Sequence, residues 1–399
     1  MGCFDVSGVE GAEQPVKPRL LFFITEDWVF WSHRLPLARA ARDAGFEVFI
    51  ATRVNQHKKR IEDEGFKLIP IRLVRRSKNI FREFCSILEI AKIYRREKPD
   101  IVHHVATKPV LYGSWAARIA NVSVVVNALT GLGFIFIAKG WKASILRHFL
   151  VFAYRLAFSM RNTIWIFQNP EDLKLFIDMG VIKNKNAVLI RGSGVDISHF
   201  INIPEPAGIP TIVLASRMLW DKGVGEFVEA TKILRKNGVK CRMILVGNPD
   251  PENPASIPEE TLRRWHSESI VEWWGHRADM PEVFAQSNIV VLPSYREGLP
   301  KVLLEAASCG RAIVATDVPG CREIVRNNKN GFLIPPRDSK SLAEALNILI
   351  ENPELRAKMG AYGRKIVEAE LSEEMVVKQT MEVYKRINPQ ITQITQKMI

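Results

Sequence analysis

The chain has 399 residues, 47% of them hydrophobic and 25% charged, which is enough apolar sequence for more than one buried core and excludes a disordered polypeptide. Lys and Arg total 56 against 43 Asp and Glu, a net charge of +13, and residues 1–205 hold 30 of those cations against 19 acids. No acid occurs between Asp100 and Glu171, so the first half attracts anionic partners: nucleic acid, an anionic membrane face or a phosphorylated substrate.

The five cysteines (Cys3, Cys85, Cys241, Cys309, Cys321) are scattered, odd in number and without a Cys-x-x-Cys pair. They read as reduced thiols of a cytosolic protein. No apolar run precedes residue 19, so no signal peptide is expected, and Val6 stands where N-myristoylation wants Ser or Thr. Residues 1–18 read as a loose tail.

From there strands and helices alternate. Arg19–Thr25 is a short apolar run typical of a buried strand, followed by a helix over Ser32–Ala44 and a strand over Glu47–Thr52. Then come strand Lys67–Ile71, helix Asn79–Glu97, strand Ile101–His104, helix Lys108–Ala120 and strands Val122–Asn127 and Val188–Ile190. Residues 202–210 are rich in Pro and Gly and mark a domain boundary. The pattern restarts with strand Thr211–Ala215, helix Gly225–Asn237, strands Met243–Val246 and Ile270–Trp273, helix Met280–Ala285, strand Ile289–Leu292, helix Lys301–Cys309 and strand Ala312–Ala315. Helices over Ser341–Glu351, Pro353–Glu370 and Glu373–Ile387 follow, the last crossing back to the first domain. The expected division is 19–203, 204–372, a crossing helix 373–387 and a polar tail 388–399. This is an α/β chain with two doubly wound parallel sheets, whose ligands belong in the cleft beyond the strands' carboxyl ends.

The strongest constellation is Ile289-Val-Val-Leu-Pro-Ser-Tyr-Arg-Glu297-Gly-Leu-Pro-Lys-Val-Leu-Leu-Glu305. A buried strand ends, a loop carries Glu297, Gly298 and Leu299, and Pro300 opens a helix that carries Glu305. The helix start offers free N–H groups to a phosphate, and Gly298 lets backbone approach a ligand. Two acids at this spacing recur by chance; the strand–loop–Gly-Leu-Pro–helix setting singles these out. The second constellation, Ala215-Ser-Arg217-Met-Leu-Trp-Asp-Lys222-Gly, follows the first strand of the second domain. Arg217 offers a planar fork and Lys222 a point charge, and both suit a diphosphate.

These segments resemble the retaining glycosyltransferases of family 4, which have the GT-B fold. The likeness covers nearly all of residues 19–387. It is strongest in Val271–Met280, Val290–Glu305, Gly310–Gly331 and Gly331–Asp338. The resemblance implies Glu297 near the sugar of a nucleotide-sugar donor, Glu305 at the ribose, and Arg217 and Lys222 at the diphosphate. It places Trp274, His276 and Arg277 around the nucleobase, and it implies metal independence; no Asp-x-Asp occurs, and Asp250-Pro-Glu252 reads as a turn. The runs Thr25–Pro36, Asn127–Phe134 and Asn248–Ile257 are similar to bacterial enzymes of surface-polysaccharide assembly such as O-antigen and lipopolysaccharide synthesis. Those enzymes extend sugars on undecaprenyl diphosphate from UDP-hexoses or UDP-N-acetylhexosamines. The sequence departs from the family at Val126–Thr130, where many members carry a His. That leaves His33, His103 and His104 as candidates; His103 and His104 close a strand, so at least one is expected to face the cleft. His33 and Arg34 are candidates for the acceptor or its phosphates, the alternative being a helix start capped by Ser32.

Residues 131–160 are apolar, basic and acid-free. Lys142, Arg147 and Arg155 interrupt any spanning segment, so a surface lying on an anionic bilayer is expected, with a core helix as the alternative. The expected protein is cytoplasmic and peripheral on the inner face of the plasma membrane. Rival readings are an epimerase or hydrolase on the same fold, a catalytically silent member of a membrane assembly, and a basic nucleic-acid binder, which would need a cation stripe with aromatic platforms.

Overall fold

A computed structural model describes residues 17–73, 79–131, 151–155 and 162–387. The first sheet is built from β1 (Arg19–Glu26), β2 (Glu47–Arg53), β3 (Lys67–Pro70), β4 (Ile101–Val105), β5 (Val124–Leu129), β6 (Thr163–Phe167) and β7 (Ala187–Leu189). All pairings are parallel and the order is β3-β2-β1-β4-β5-β6-β7. Its helices are α1 (Asp27–His33), α2 (Leu35–Asp43), α3 (Lys58–Asp63), α4 (Ile80–Glu97), α5 (Thr107–Ala120) and α6 (Pro170–Asp178). The second sheet has β8 (Thr211–Ala215), β9 (Arg242–Val246), β10 (Glu272–Trp273), β11 (Ile289–Leu292), β12 (Ala312–Thr316) and β13 (Gly331–Ile334). Its order is β10-β9-β8-β11-β12-β13, again all parallel. Around it lie α7 (Val224–Lys236), α8 (Glu259–Ser267), α9 (Met280–Ala285), α10 (Lys301–Ser308), α11 (Pro319–Arg322), α12 (Ser339–Glu351) and α13 (Pro353–Ile366), and α14 (Glu373–Ile387) follows them.

The central strands are buried on both faces because helices cover both. Phe22, Ile24 and Val126 point into one core of the first sheet, while Leu21, Phe23 and Val125 point into the other. That alternation is the period of two that a pleated strand imposes. Helix α14 delivers Val376, Val383 and Tyr384 into the first core beside Leu35 and Phe46, so the chain's last described helix belongs to the first sheet's packing.

The expected helix over Ser32–Ala44 is instead two helices that meet at Arg34, whose φ of −128° and ψ of −9° are not helical. Pro36 is the cause. It has no N–H to bond the Ser32 carbonyl, and its ring crowds that carbonyl, so a continuous helix breaks before it. Ser32 is therefore not a cap: it sits in the last turn of α1, and its hydroxyl donates to the Trp28 carbonyl at 2.7 Å. Pro300 likewise stands one place before its helix, as the extended cap residue of α10. Strands β6 and β13 and helices α3, α6, α8 and α11 go unread in the sequence because each is short, nine residues or fewer.

Candidate active site

The carboxyl ends of both sheets face each other, so every strand-to-helix loop of interest opens into one cleft. After β8 the chain passes Ser216 and Arg217, makes one tight turn at Trp220–Lys222 and enters α7 through Gly223, whose φ is +73°. A Cβ at Gly223 would lie 2.1 Å from the Pro293 carbonyl oxygen. Only glycine lets this turn press against the chain leaving β11. The contact brings Lys222 to Glu297, with Nζ 2.5 Å from Oε1, both side chains mostly buried.

The next residue closes the cleft. A Cβ on Gly298 would stand 2.0 Å from the carbonyl oxygen of Thr130, which follows β5 in the other domain. Asn169 Nδ2 donates to the Gly298 carbonyl at 3.2 Å, and Arg296 pairs with Asp172 at 2.8 Å. Lys301, in the first turn of α10, donates to the Ser32 carbonyl at 2.6 Å. That carbonyl is the one Pro36 leaves unbonded, so a proline in the first domain creates the acceptor for a lysine of the second.

Two cavities meet here. One of about 390 Å³ is lined by Arg34, Thr130 and Gln168 from the first domain and by Lys222, Glu297, Gly298 and Leu299 from the second. The other, about 570 Å³, is lined by Asn248–Pro251, His276, Arg277 and Glu305. Trp28, His33, Arg217 and Lys301 border both. The volumes suit a nucleotide-sized ligand with a further group attached.

The electrostatics are set by burial. Glu305 is 13% exposed; burial pushes its carboxyl up to about 7, against the opposing pull of Lys301 at 3.8 Å. Burial, then the cations Lys301 and Arg34, hold the His33 imidazole down at about 3, so it is neutral. Its tautomer follows from its partner. The Ser32 hydroxyl spends its proton on the Trp28 carbonyl, so at 2.6 Å it accepts from His33 Nδ1–H. Nε2 then carries a lone pair. Arg217 is held by Asp250 at 2.6 Å.

A model described as glycosyl transferases group 1 matches residues 198–366, and one described as glycosyl transferase 4-like matches residues 19–169. The chain is a glycosyltransferase, built of a glycosyl transferase 4-like domain and a group 1 domain. It is 29% identical over 370 residues to the N,N'-diacetylbacillosaminyl-diphospho-undecaprenol alpha-1,3-N-acetylgalactosaminyltransferase of Campylobacter jejuni, covering 89% of this chain and 95% of the relative. It is 26% identical to the UDP-Gal:alpha-D-GlcNAc-diphosphoundecaprenol alpha-1,3-galactosyltransferase of Escherichia coli, covering 71% and 75%. The GT-B fold is shared with the sucrose-phosphate synthase of Thermosynechococcus elongatus (TM-score 0.76, 18% identity, 93% and 99% covered). It is shared too with Anabaena HepE solved with UDP and glucose (TM-score 0.71, 19% identity, 92% and 99% covered).

The structure of the glycosyltransferase corrects three site expectations. His103 and His104 line neither cavity. Successive residues of β4 point to opposite faces, so His103 turns into one core, its Nδ1 2.5 Å from Tyr384 Oη, and His104 into the other, between Tyr94 Oη at 2.9 Å and Asn127 Oδ1 at 2.8 Å. Both are buried neutral core histidines, held low by burial. Trp274 lines neither cavity but an adjoining hollow, with Trp273 and Arg263, that shares Asn248, Pro249 and Pro251 with the larger one, and its Nε1 donates to Glu272 at 3.2 Å. Sequence reasoning missed Lys301. A cation in a helix's first turn opposes the helix dipole, and that misfit is the signal that marks it. Asp250-Pro-Glu252 does form a turn, but Asp250 also holds Arg217, and Glu252 reaches Arg53 of the first domain at 3.1 Å. The basic stretch 131–160 lies outside the described residues except for 131 and 151–155.

Proposed function

We propose that this glycosyltransferase moves a hexose or N-acetylhexosamine from a UDP-sugar to a hydroxyl of a sugar carried on undecaprenyl diphosphate, with retention at the anomeric carbon and without a metal. The observation that carries the reading is the convergence of Arg217, Lys222, Glu297 and Glu305 at the carboxyl ends of β8 and β11, opposite His33 and Arg34. As the sugar–phosphate bond breaks, charge grows on the departing diphosphate. Arg217, Lys222 and the free N–H groups at the start of α10 would stabilise it, and the two cations supply the positive charge that the reaction needs. Arg217 would exchange Asp250 for a phosphate. Glu297, aimed by Lys222, would accept hydrogen bonds from the donor sugar's hydroxyls, and Glu305 from the ribose. The His33 Nε2 lone pair would accept one from the incoming hydroxyl. Retention is supported by the E. coli relative, whose named product linkage is alpha and whose named donor, UDP-galactose, is an α-glycoside. The test is incubation with a panel of UDP-sugars and a lipid-diphosphate sugar, with the product read by mass. Donor hydrolysis at full rate without any acceptor would favour the hydrolase reading instead.

We further propose that the enzyme works from the cytoplasm as a peripheral protein on an anionic membrane face, with no nucleic-acid partner. Phe81, Phe84 and Leu88 form an exposed stripe on α4, being 76%, 55% and 45% exposed, beside Arg82 and Lys92. In a parallel αβ layer a helix begins at the strands' carboxyl end, so the stripe starts at the cleft's rim. Glu83, within it, pairs with Lys108 of α5 at 2.7 Å, next to Thr107, which bonds the Gly131 carbonyl at 3.1 Å. Apolar side chains flanked by cations suit an anionic bilayer carrying a lipid diphosphate. Among the described residues no helix is long and apolar enough to cross a membrane. Sedimentation with phosphatidylglycerol vesicles, lost in Phe81→Ser/Phe84→Ser and absent with phosphatidylcholine, would support this surface; equal binding by the variant would refute it.

A further inference from the structure

Among the described cations that border the cleft, Arg34 is the one without a carboxylate. Arg217 has Asp250, Lys222 has Glu297, Arg277 has Asp279 and Lys301 has Glu305. Arg34 is 7% exposed, and it lines the cavity between the domains. Its Nε is buried with no hydrogen-bond acceptor, and no carboxylate among the described residues acts on its guanidinium. Burial lowers its pKa only to about 10, so it stays charged at neutral pH. Tyr384, the one group that favours its charge, is itself kept protonated by burial. His103, beside it, is neutral and keeps Nε2 buried without a partner. The floor of this corner therefore holds a positive charge and no negative one.

An unpaired buried guanidinium costs several kcal/mol, and a planar fork with open donors is the group best shaped to take an oxyanion. The break between α1 and α2 fixes it there: Arg34 is the junction residue, and the Pro36 that makes the junction also turns the Ser32 carbonyl to Lys301. Arg34 and Lys301 both act electrostatically on the His33 ring, and all three line the same cavity. We infer that Arg34, with Lys301 across the cleft, is the seat of a phosphate group belonging to the acceptor, a second anion site apart from the donor's diphosphate at Arg217 and Lys222. The inference rests on the proposed transferase reading of the cleft. It makes recognition of the acceptor depend on its phosphate as well as its sugar, and because the two cations come from different domains, the phosphate would draw the domains together.

The test is calorimetric titration of inorganic pyrophosphate into the full chain saturated with UDP, using the wild type, Arg34→Gln and Arg34→Lys. The wild type should bind pyrophosphate with UDP in place. Arg34→Gln should bind it roughly 10- to 100-fold more weakly, the loss of a charge-assisted pair, with Arg34→Lys in between. UDP affinity should be the same in all three, and the Tm of Arg34→Gln should not fall, since the change removes an unpaired buried charge. In transfer assays the KM for a lipid-diphosphate sugar should rise in Arg34→Gln and less so in Arg34→Lys. Unaltered pyrophosphate binding in Arg34→Gln overturns the inference, as does a parallel loss of UDP affinity, which would put Arg34 at the donor. Failure of the wild type to bind UDP would reject the donor reading by itself. Pyrophosphate titrated into the free protein would then still decide Arg34: a site lost in Arg34→Gln sustains the inference, and none lost ends it.

Discussion

Lys222 Nζ lies 2.5 Å from Glu297 Oε1, and the pair is held together by the close approach of Gly223 to Pro293. A loop after β8 and a loop after β11 thus act as one unit. Lys222→Ala and Glu297→Gln should each lower kcat by roughly 10²–10³, the scale of losing one preorganised group at developing charge. The double variant should cost little more than either single one, because the residues are coupled. Steady-state kinetics with circular dichroism to check folding would read this; full activity in either variant would refute the site.

On the proposed reading of the cleft, Glu305 should make donor binding depend on pH. Its carboxyl, raised to about 7 by burial, has to be ionised to accept from ribose hydroxyls. UDP-glucose, whose diphosphate has no ionisation near neutrality, should bind about tenfold more weakly at pH 6 than at pH 8. For stability the sign is opposite. A folded pKa above the ordinary 4.5 means that Glu305 contributes most at low pH and loses that contribution as pH rises through 7, up to about 3 kcal/mol. Glu305→Gln should flatten both profiles, read by titration calorimetry and by Tm at pH 6 and 8.

Gly298→Ala places a methyl where the Thr130 carbonyl oxygen stands. The domains would have to separate to admit it. The expected result is a loss of kcat of about 100-fold, the scale of a misplacement of about an ångström, with little change in Tm. Small-angle scattering should show a more open chain. An unchanged kcat would mean that this contact is not needed for catalysis.

His104→Asn tests the reassignment of the strand-end histidines. Removing a buried ring that bonds Tyr94 and Asn127 should lower Tm, with kcat per folded molecule unchanged. Burial holds the ring at about 4, below the ordinary 6.5. Folding therefore opposes its protonation, and stability should fall as pH drops from 6.5 towards 4, less so in the variant. A loss of kcat with Tm intact would restore a catalytic role.

The fold was legible because buried parallel strands announce themselves as apolar runs: Arg19–Thr25 and Ile289–Leu292 need no partner to be recognised. The cluster proposed to hold the donor was legible for a related reason. Arg217, Lys222, Glu297 and Glu305 lie just beyond such strands, where topology alone places ligands. Contacts between the domains were not legible. Nothing local tells that Pro36 frees a carbonyl for Lys301, or that Thr130 meets Gly298. Alternation along β4 was visible, but which face of His103 and His104 was core depended on Tyr384 and Tyr94, remote in sequence. A strand buried on both faces has no cleft-facing side along its length; only the residues past its end reach the ligand.

The most direct measurement is a crystal structure with UDP bound. The diphosphate should lie between Arg217 and Lys222, with Arg217 released from Asp250 and the ribose hydroxyls on Glu305. UDP lodged anywhere else, or bound with Lys222 and Glu305 turned away from it, would contradict the account.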